Sequence, residues 1–345
     1  MSGFSLCDPD DIGVAVLGAG RMGRTHLRNL GAIPNARVVV VADPDEESAA
    51  RGRDLARAQR ASVDPYEAIH DPAVEAVVIV TPTSTHASLI EAALRAGKAV
   101  WTEKPIAQDV GETARIVELW LETGIPVQVG FMRRFDPGYE RAKALIDAGE
   151  LGRIEQFRAY SRDVHPPPLE FLLTCGGSFL DMAIHDLDLA RFLVGEVEEV
   201  HAWASVLFDE RFAKADDWDT SLAMLKFRNG ALGVVETSRH STWGYDIRAE
   251  VAGASGKVVV DGGQKTPVTH MRRVAQEGDL YGDFWDRFEV AYRRELEAFF
   301  ADLAAGRTPQ PGPDDALETL RLAVACTRSW REGRPVRLDE VTAAT

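Results

Sequence analysis

The sequence has little cysteine, no long apolar run and no sustained run of lysine and arginine. Its three cysteines, Cys7, Cys175 and Cys326, are far apart and contain no Cys-x-x-Cys pair, which is typical of reduced thiols in a cytoplasmic protein. The longest apolar runs, such as residues 38–42, have the length of strands, whereas a membrane-spanning helix needs about 20 residues. The first ten residues contain acids instead of a basic segment, and no apolar segment follows them, so no secretory leader is predicted.

The charge balance is acidic, with 54 Asp and Glu against 39 Lys and Arg and a formal net charge of −15. This balance argues against a protein that binds nucleic acid or an anionic membrane. Hydrophobic residues make up 45% and charged residues 27% of the 345 residues, as in ordinary globular proteins. The length indicates two domains, which we place at 1–130 and 131–345.

The first half of the chain alternates short β-branched runs with segments of helical spacing. The predicted strands are 12–17, 38–41, 77–80, 99–101 and 127–129, and the predicted helices between them are 22–30, 46–57, 85–96 and 109–121. Strands that are apolar on both faces and joined by helices are typical of a parallel, doubly wound α/β sheet of the Rossmann type.

The pattern changes after Phe131 to strands in series. A helix is predicted at 137–148, capped by Asp136 and stopped by Gly149. The predicted strands are 154–162, 197–208, 220–227, 231–239, 247–252 and 257–260, and helices return at 286–305 and 313–330. Asn229-Gly230 is a hairpin signal between two of these strands. The second domain is therefore expected to be α+β with an open, mainly antiparallel sheet.

A glycine-rich run, Gly18-Ala19-Gly20-Arg21-Met22-Gly23, directly follows the first predicted strand and begins a helix. Its glycines permit a tight turn, close approach of a pyrophosphate and close packing of helix on strand, although such a run alone could be a plain turn. Asp43 ends the second strand, where a carboxylate accepts hydrogen bonds from ribose hydroxyls and repels a 2′-phosphate. We therefore predict a dinucleotide site that binds NAD rather than NADP. A capping role for Asp43 near Glu46 is compatible with this prediction.

Two further segments lie where predicted parallel strands end, at the sheet edge that binds ligands. Thr81-Pro82-Thr83 and His86 are assigned to the nicotinamide side, with exposure in the first turn of a helix as an equal alternative for His86. Trp101-Thr102-Glu103-Lys104-Pro105 follows the next strand. Lys104 is placed there to hydrogen-bond a substrate oxygen or to help move its proton. An ordinary surface lysine is the alternative.

The run from Gly176 to Asp188 is the second candidate for chemistry. If it is helical, Asp181, His185 and Asp188 form one polar stripe on an otherwise apolar helix. A histidine beside carboxylates can take a proton from a substrate hydroxyl, with Asp181 orienting the ring. A satisfied core network, a capping set and a metal site are the alternatives. Metal is the least favoured, because all three ligands would come from one short helix, and no metal is predicted.

Four motifs together resemble the glucose–fructose oxidoreductase/inositol dehydrogenase family. They are the glycine run, Glu103-Lys104-Pro105, Gly130-Phe131-Met132-Arg133-Arg134-Phe135 and Asp181-x3-His185-x2-Asp188, in the family's order from about Ile12 to Trp330. Two shorter segments, Ser161-Arg162-Asp163 followed by Pro166-Pro167-Pro168, and Trp243-Gly244-Tyr245-Asp246-Ile247, are similar to the inositol 2-dehydrogenases of that family.

The resemblance implies roles for the matching positions. Lys104 would contact the reacting hydroxyl, Pro105 would be cis, and His185 would accept the proton with Asp181 as its partner. The implied substrate ligands are Arg133, Asp163, Asp188 and Tyr245. The expected cofactor contacts, including those argued above, are Gly18, Gly20, Arg21, Met22, Gly23, Asp43, Thr81, Pro82, Thr83, His86, Glu103 and Met132.

Two further expectations concern the second domain. The segment from Pro166 to Cys175 replaces an aromatic-and-threonine stretch found in many inositol dehydrogenases, which leaves the substrate wall there undefined. Members of the family are commonly homotetramers that associate through the open face of this sheet, and His201 and Trp203 suit such a contact.

The sequence thus predicts NAD-dependent oxidation of a secondary hydroxyl on a cyclic polyol, with myo-inositol oxidised to its 2-keto product (scyllo-inosose) as the favoured reaction. Acidic side chains suit such a substrate because each ring hydroxyl needs a hydrogen-bond partner when buried. The same chemistry on scyllo-inositol, an amino-inositol, an aldose or a sugar acid is the alternative. Two other classes are a metal-dependent hydrolase and a non-catalytic NAD sensor, and the presence of Lys104, Asp181 and His185 counts against the sensor.

Overall fold

The computed structural model describes residues 4–343, which divide into two compact units. The first unit contains the described residues up to Met132 together with Val290–Glu318 and Ala343. The second contains Arg133–Glu289 and Thr319–Thr342. Within the described range, helices of sufficient length and apolar character to cross a bilayer are absent.

The first unit contains a six-stranded sheet in which every neighbouring pair is parallel. Its strands are β1 (Ile12–Leu17), β2 (Ala36–Ala42), β3 (Arg60–Ser62), β4 (Ala76–Ile79), β5 (Ala99–Glu103) and β6 (Val127–Gly130). Its early helices are α1 (Arg21–Leu30), α2 (Glu46–Ala56), α3 (Pro65–Ile69), α4 (His86–Arg95) and α5 (Val110–Thr123). The strand order β3-β2-β1-β4-β5-β6 is that of the doubly wound nucleotide-binding sheet, which confirms the predicted fold class. Strand β3 and helix α3 are missing from the predicted set, because elements this short show no hydrophobic period.

The second unit contains a seven-stranded sheet in the order β12-β11-β7-β10-β9-β8-β15. Its strands are β7 (Ile154–Arg162), β8 (Val197–Ser205), β9 (Thr220–Phe227), β10 (Leu232–Ser238), β11 (Asp246–Gly253), β12 (Gly256–Val260) and β15 (Val336–Arg337), and a separate hairpin pairs β13 (Thr269–Arg272) with β14 (Ala275–Gly278). The pair β7–β10 is parallel and the other pairs are antiparallel, as expected of a mainly antiparallel sheet. The predicted hairpin at Asn229-Gly230 joins β9 to β10, and Gly230 supplies the positive φ of 90° that this turn needs.

The helices of the second half include several short ones. They are α6 (Pro137–Asp147), α7 (Leu169–Leu172), α8 (Ser178–Asp181), α9 (Ile184–Val194), α10 (Arg211–Lys214), α11 (Phe284–Ala304) and α12 (Pro313–Glu332), with 3-10 turns at Thr83–Thr85, Met132–Phe135 and Leu338–Glu340. The single helix expected through the Asp181 region is instead two helices, separated by a turn at residues 182–183. Both turn residues keep right-handed helical angles, so the interruption is small.

Helix α11 changes the assignment of the C-terminal part of the chain. Its residues Leu296, Phe299, Phe300 and Leu303 are buried in the same core as β-strand residues such as Val16. Residues 290–318 therefore group with the first unit, whereas the sequence assigned the whole of 131–345 to one domain. A helical period shows which face of a helix is apolar, but it cannot show which core will cover that face.

Candidate active site

The glycine run forms a tight loop between β1 and α1. Gly18 has a φ of 99°, and a Cβ there would lie 2.6 Å from the carbonyl oxygen of Val80. A Cβ on Gly23 would collide with the carbonyl oxygen of Gly18, whereas a Cβ on Gly20 would enter open space. The first and third glycines are thus required by the protein itself, and the second leaves room for a ligand to approach the backbone. Arg21 and Met22 begin α1, whose first N–H groups point to the same loop.

Asp43 is held beside this loop at the end of β2. Its Oδ2 accepts a hydrogen bond of 2.8 Å from the N–H of Ala19, and its Oδ1 accepts one of 3.0 Å from the N–H of Asp45. The carboxylate is half-buried and fixed in orientation, with further acceptor capacity on each oxygen. The helix cap of α2 is supplied by Asp45, through its contact with the N–H of Ser48. These residues fit the ribose and pyrophosphate of a dinucleotide.

His86 joins the two loops that follow β4 and β5. It is 1% exposed, with Nε2 2.8 Å from the carbonyl oxygen of Thr81 and Nδ1 2.8 Å from that of Pro105. Burial lowers the pKa of His86, which favours the neutral ring. The exposed alternative for His86 is therefore wrong. Both ring nitrogens face backbone carbonyl oxygens, and in the neutral form one of them donates a hydrogen bond, which ties the imidazole to this backbone.

Glu103 fixes the backbone next to Lys104. Its Oε1 lies 3.1 Å from Nε2 of the fully buried His26 on α1, and its Oε2 accepts a hydrogen bond of 3.3 Å from the N–H of Lys104. The Lys104–Pro105 peptide bond is cis, as the resemblance implied. The Lys104 side chain is half-buried at the carboxyl end of β5. Glu103 therefore fixes the conformation of this loop, and its contact with the cofactor stays a prediction.

Glu295 places a fully buried carboxyl group in the first unit. Glu295 on α11 is fully buried, and neither of its carboxyl oxygens has a hydrogen-bond partner among the described residues. Burial, together with the charge of Glu103, raises the pKa of Glu295 well above its ordinary value. Burial therefore favours the neutral form of this carboxyl group in the folded protein.

Asp181 and His185 are the partly exposed positions within residues 178–190, where every other residue is buried. Asp181 ends α8 and His185 lies in the first turn of α9. A polar acid and an imidazole at the accessible positions of otherwise buried helices are suited to meeting a ligand. The structure thus leaves both of these predicted groups partly accessible in the second unit.

Arg239 joins Asp181 to Asp163, a contact that the sequence did not indicate. Its Nη2 donates to Oδ2 of Asp181 at 2.6 Å, and its Nη1 donates to Oδ2 of Asp163 at 3.0 Å. Burial opposes the charge of Arg239, but the two carboxylates outweigh it and raise its pKa, so the guanidinium stays cationic. Burial also raises the pKa of Asp163, and the arginine acts against that rise.

Arg133 lies in a buried network with Asp186 and Ser161. Its Nη1 donates to Oδ1 of Asp186 at 2.6 Å and its Nη2 donates to Ser161 Oγ at 3.1 Å, while that hydroxyl donates to Oδ2 of Asp186 at 2.6 Å. Burial raises the pKa of Asp186, and the Arg133 charge opposes the rise. Two of the three guanidinium nitrogens thus contact protein groups, and the implied role of Arg133 as a direct substrate ligand stays a prediction.

Asp188 is also in an ion pair. It is 1% exposed and accepts hydrogen bonds of 2.9 and 2.6 Å from Nε and Nη2 of Arg134, with a longer contact to Thr319. The three residues of the expected polar stripe therefore differ in exposure. Asp181 and His185 are partly exposed, whereas Asp188 is buried. The structural alternative of a satisfied core network describes Asp188, since its partner neutralises it.

Tyr245 and Met132 complete the predicted set. The Tyr245 hydroxyl is protonated at neutral pH, since burial and the charge of Asp163 raise its pKa. It can therefore both donate and accept a hydrogen bond. Met132 is buried at the end of the first unit's main segment.

Among the described residues, clusters of three or more His, Cys, Asp or Glu arranged to hold a metal ion are absent.

Comparisons with known proteins agree with the motifs. Residues 12–131 match the model of an oxidoreductase family with an NAD-binding Rossmann fold, and residues 139–259 match the GFO/IDH/MocA C-terminal domain. The chain is 41% identical over 333 residues to the scyllo-inositol 2-dehydrogenase (NAD(+)) of Bacillus subtilis, covering 96% of this chain and 97% of that one. It is 37% identical over 330 residues to the myo-inositol 2-dehydrogenase of Thermotoga maritima, covering 95% and 99%.

The fold of the chain is also similar to that of a solved inositol dehydrogenase structure. The scyllo-inositol dehydrogenase of Lactobacillus casei, solved with bound NAD(H) and scyllo-inositol, superposes with a TM-score of 0.89 at 27% identity and covers 95% of this chain and 99% of that one. The resemblance inferred from the motifs is therefore confirmed. The chain belongs to the GFO/IDH/MocA family of NAD-dependent oxidoreductases.

Proposed function

We propose that the protein is an inositol 2-dehydrogenase that oxidises the 2-hydroxyl of myo-inositol to a ketone with NAD. The observation that carries this proposal is the placement of Asp181 and His185 as the accessible polar groups of two otherwise buried helices. The relatives named for myo- and scyllo-inositol cover nearly the whole chain, and this supports a cyclic polyol as the substrate class.

In the proposed mechanism His185 accepts the proton of the reacting hydroxyl, and the carboxylate of Asp181 stabilises the imidazolium that forms. Lys104 hydrogen-bonds the same substrate oxygen, and its backbone is held by Glu103. Bound NAD supplies the hydride acceptor. Asp163 and Tyr245 bind other ring hydroxyls, while Arg133 supports the site through Asp186 and Ser161.

A panel of purified polyols tests the proposal. Myo-inositol, scyllo-inositol, an amino-inositol, glucose and a uronic acid are each incubated with NAD or NADP, and formation of the reduced cofactor is followed by absorbance. We expect the highest kcat/KM for myo-inositol with NAD. Faster oxidation of scyllo-inositol would keep the chemistry and change the preferred isomer.

The same panel separates the other classes of function. Tight NAD binding without turnover of any polyol would contradict the dehydrogenase and indicate a sensor. Hydrolysis without NAD that a chelator abolishes and zinc restores would indicate a metal-dependent hydrolase.

We also propose a homotetramer formed through the open face of the second unit's sheet. The side chains of β9 alternate, with Ala223 and Leu225 buried and Met224 52% exposed. Trp203 on β8 is 49% exposed and its ring lies 4.0 Å from that of His201. Exposed apolar side chains of this kind on one sheet face support association between copies of the chain.

The proposed location is the cytoplasm. Cys7, Cys175 and Cys326 are all free thiols, which suits a reducing compartment. Fractionation of cells that express the protein tests this location, and recovery with a secreted fraction would contradict it.

A further inference from the structure

We propose that Arg239 is a positioning residue for the dehydrogenase: its guanidinium holds Asp163 and Asp181 as a pair of ionised hydrogen-bond acceptors that orient a neutral polyol. This inference rests on the proposed function and assigns a determinant of its substrate binding. Arg239 is not part of any motif that carried the family resemblance.

The geometry is that of a forked bridge. Asp163 follows β7, Asp181 ends α8, and Arg239 follows β10, so three separate elements bring the groups together. The Oδ2 atom of each carboxylate accepts a hydrogen bond from a different terminal nitrogen of the guanidinium, at 3.0 Å for Asp163 and 2.6 Å for Asp181. Lysine cannot make this pair of contacts in the same way, because its ammonium is a single point of charge without the planar fork.

The bridging arginine is inside the protein while both acids reach its surface. The side chain of Arg239 is 6% exposed, compared with 23% for Asp163 and 20% for Asp181. The Oδ1 of Asp163 has no hydrogen-bond partner among the described residues. The arrangement therefore leaves the Oδ1 of Asp163 as an acceptor and keeps the counter-charge of both acids inside the protein.

Charge explains why the bridge is needed. Two carboxylates this close to one cation repel each other, and burial further disfavours the ionised form of Asp163. The arginine favours the ionised form of both acids and so opposes the effect of burial, and an ionised carboxylate accepts hydrogen bonds from substrate hydroxyls.

Three variants separate the charge of Arg239 from its shape. In Arg239→Gln both are lost, so we expect KM for the polyol to rise by about tenfold or more. The acid limb of the kcat/KM profile should also move up by about one pH unit, because the carboxylates lose their cation. In Arg239→Lys the charge remains but the fork is lost, so KM should rise while the acid limb stays near its wild-type position. Asp163→Asn removes one of the two carboxylates and leaves the ion pair between Arg239 and Asp181, so KM should rise in this variant as well.

Arg60 provides the matched control. It also bridges two acids, Glu67 at 2.8 Å and Asp71 at 2.7 Å, but it lies on β3 of the first unit, and neither acid is a predicted site residue. Arg60→Gln should leave KM for the polyol and the acid limb unchanged. NAD affinity, measured by fluorescence titration, should be unaltered in all four variants.

These measurements separate the role of Arg239 from the proposed dehydrogenase function. Wild-type KM and an unmoved acid limb in Arg239→Gln would overturn the role of Arg239 while leaving the dehydrogenase intact. If Arg239→Gln does not fold, wild-type KM in both Arg239→Lys and Asp163→Asn would overturn it equally. A wild-type protein that turns over no polyol would overturn the proposed function and this inference with it.

Discussion

Arg134 binds Asp188 through two hydrogen bonds, from Nε to Oδ2 at 2.9 Å and from Nη2 to Oδ1 at 2.6 Å. This fork-to-fork pair is buried, with the arginine 11% and the aspartate 1% exposed. Such geometry is the strongest form of an ion pair in a protein, and it leaves Asp188 little capacity for a substrate.

Asp188→Ala is therefore expected to act on stability. It leaves the Arg134 charge buried without its partner, and removing one partner of a buried pair costs about 3–5 kcal/mol. The free energy of unfolding in urea measures this loss. Asp147→Asn, which alters an exposed pair with Lys143, should change it little. A folded Asp188→Asn variant with unchanged stability and a raised KM would instead restore Asp188 as a substrate ligand.

Lys104→Ala and His185→Ala should each lower kcat by about 10²–10⁴, the usual contribution of a positioned proton-transfer group. NAD binding, followed by fluorescence titration, should persist, because the glycine loop and Asp43 are untouched. Lys214→Ala, on the short helix α10, serves as the control. Near-normal turnover in either site variant would contradict the roles assigned to them.

Asp43→Ala should raise KM for NAD by at least about tenfold and reduce the preference for NAD over NADP. The variant removes the acceptor for the ribose hydroxyls and the charge that repels a 2′-phosphate. The ratio of kcat/KM values for the two cofactors measures the change. Asp45→Asn, which keeps a cap for α2, should leave that ratio as it is. An unchanged ratio in Asp43→Ala would contradict the assignment.

Glu295→Gln should make thermal stability less dependent on pH. The pKa of Glu295 is raised in the folded protein, so its stabilising contribution is complete below the unfolded value of about 4.5 and is lost as pH rises towards the folded pKa. Glutamine stays neutral and avoids this loss. The free energy of unfolding of the variant relative to wild type should therefore increase between pH 5 and 8, by about 1.4 kcal/mol for each unit of pKa shift, and its Tm should rise with it. The exposed Glu297→Gln is the control, and parallel Tm profiles would contradict a neutral Glu295.

Met224→Lys should convert the proposed tetramer into smaller species in sedimentation velocity. A charge on this sheet face must be desolvated when copies associate, which costs free energy. Val63→Lys places the same charge at another exposed apolar position, 55% exposed in the first unit. The Val63→Lys variant should sediment as the same oligomer as the wild-type protein. A wild-type monomer would contradict the tetramer itself.

The sequence alone determined the features that depend on local pattern. The alternation of apolar runs and helical segments specified the parallel sheet, because strands covered on both faces must be apolar throughout. The glycine run specified its loop, since Gly18 and Gly23 have no room for a Cβ. Asn229-Gly230 specified a hairpin, since its turn needs a positive φ.

Tertiary structure decided which polar groups became partners. Asp181 and Asp188 look equivalent in the sequence, yet the fold leaves the first accessible and buries the second against Arg134. The bridge made by Arg239 depends on residues 58 and 76 positions away in the chain, so no local spacing indicates it. A charged residue shows its role only when its burial and its counter-charge are known, and both are set by contacts between distant segments.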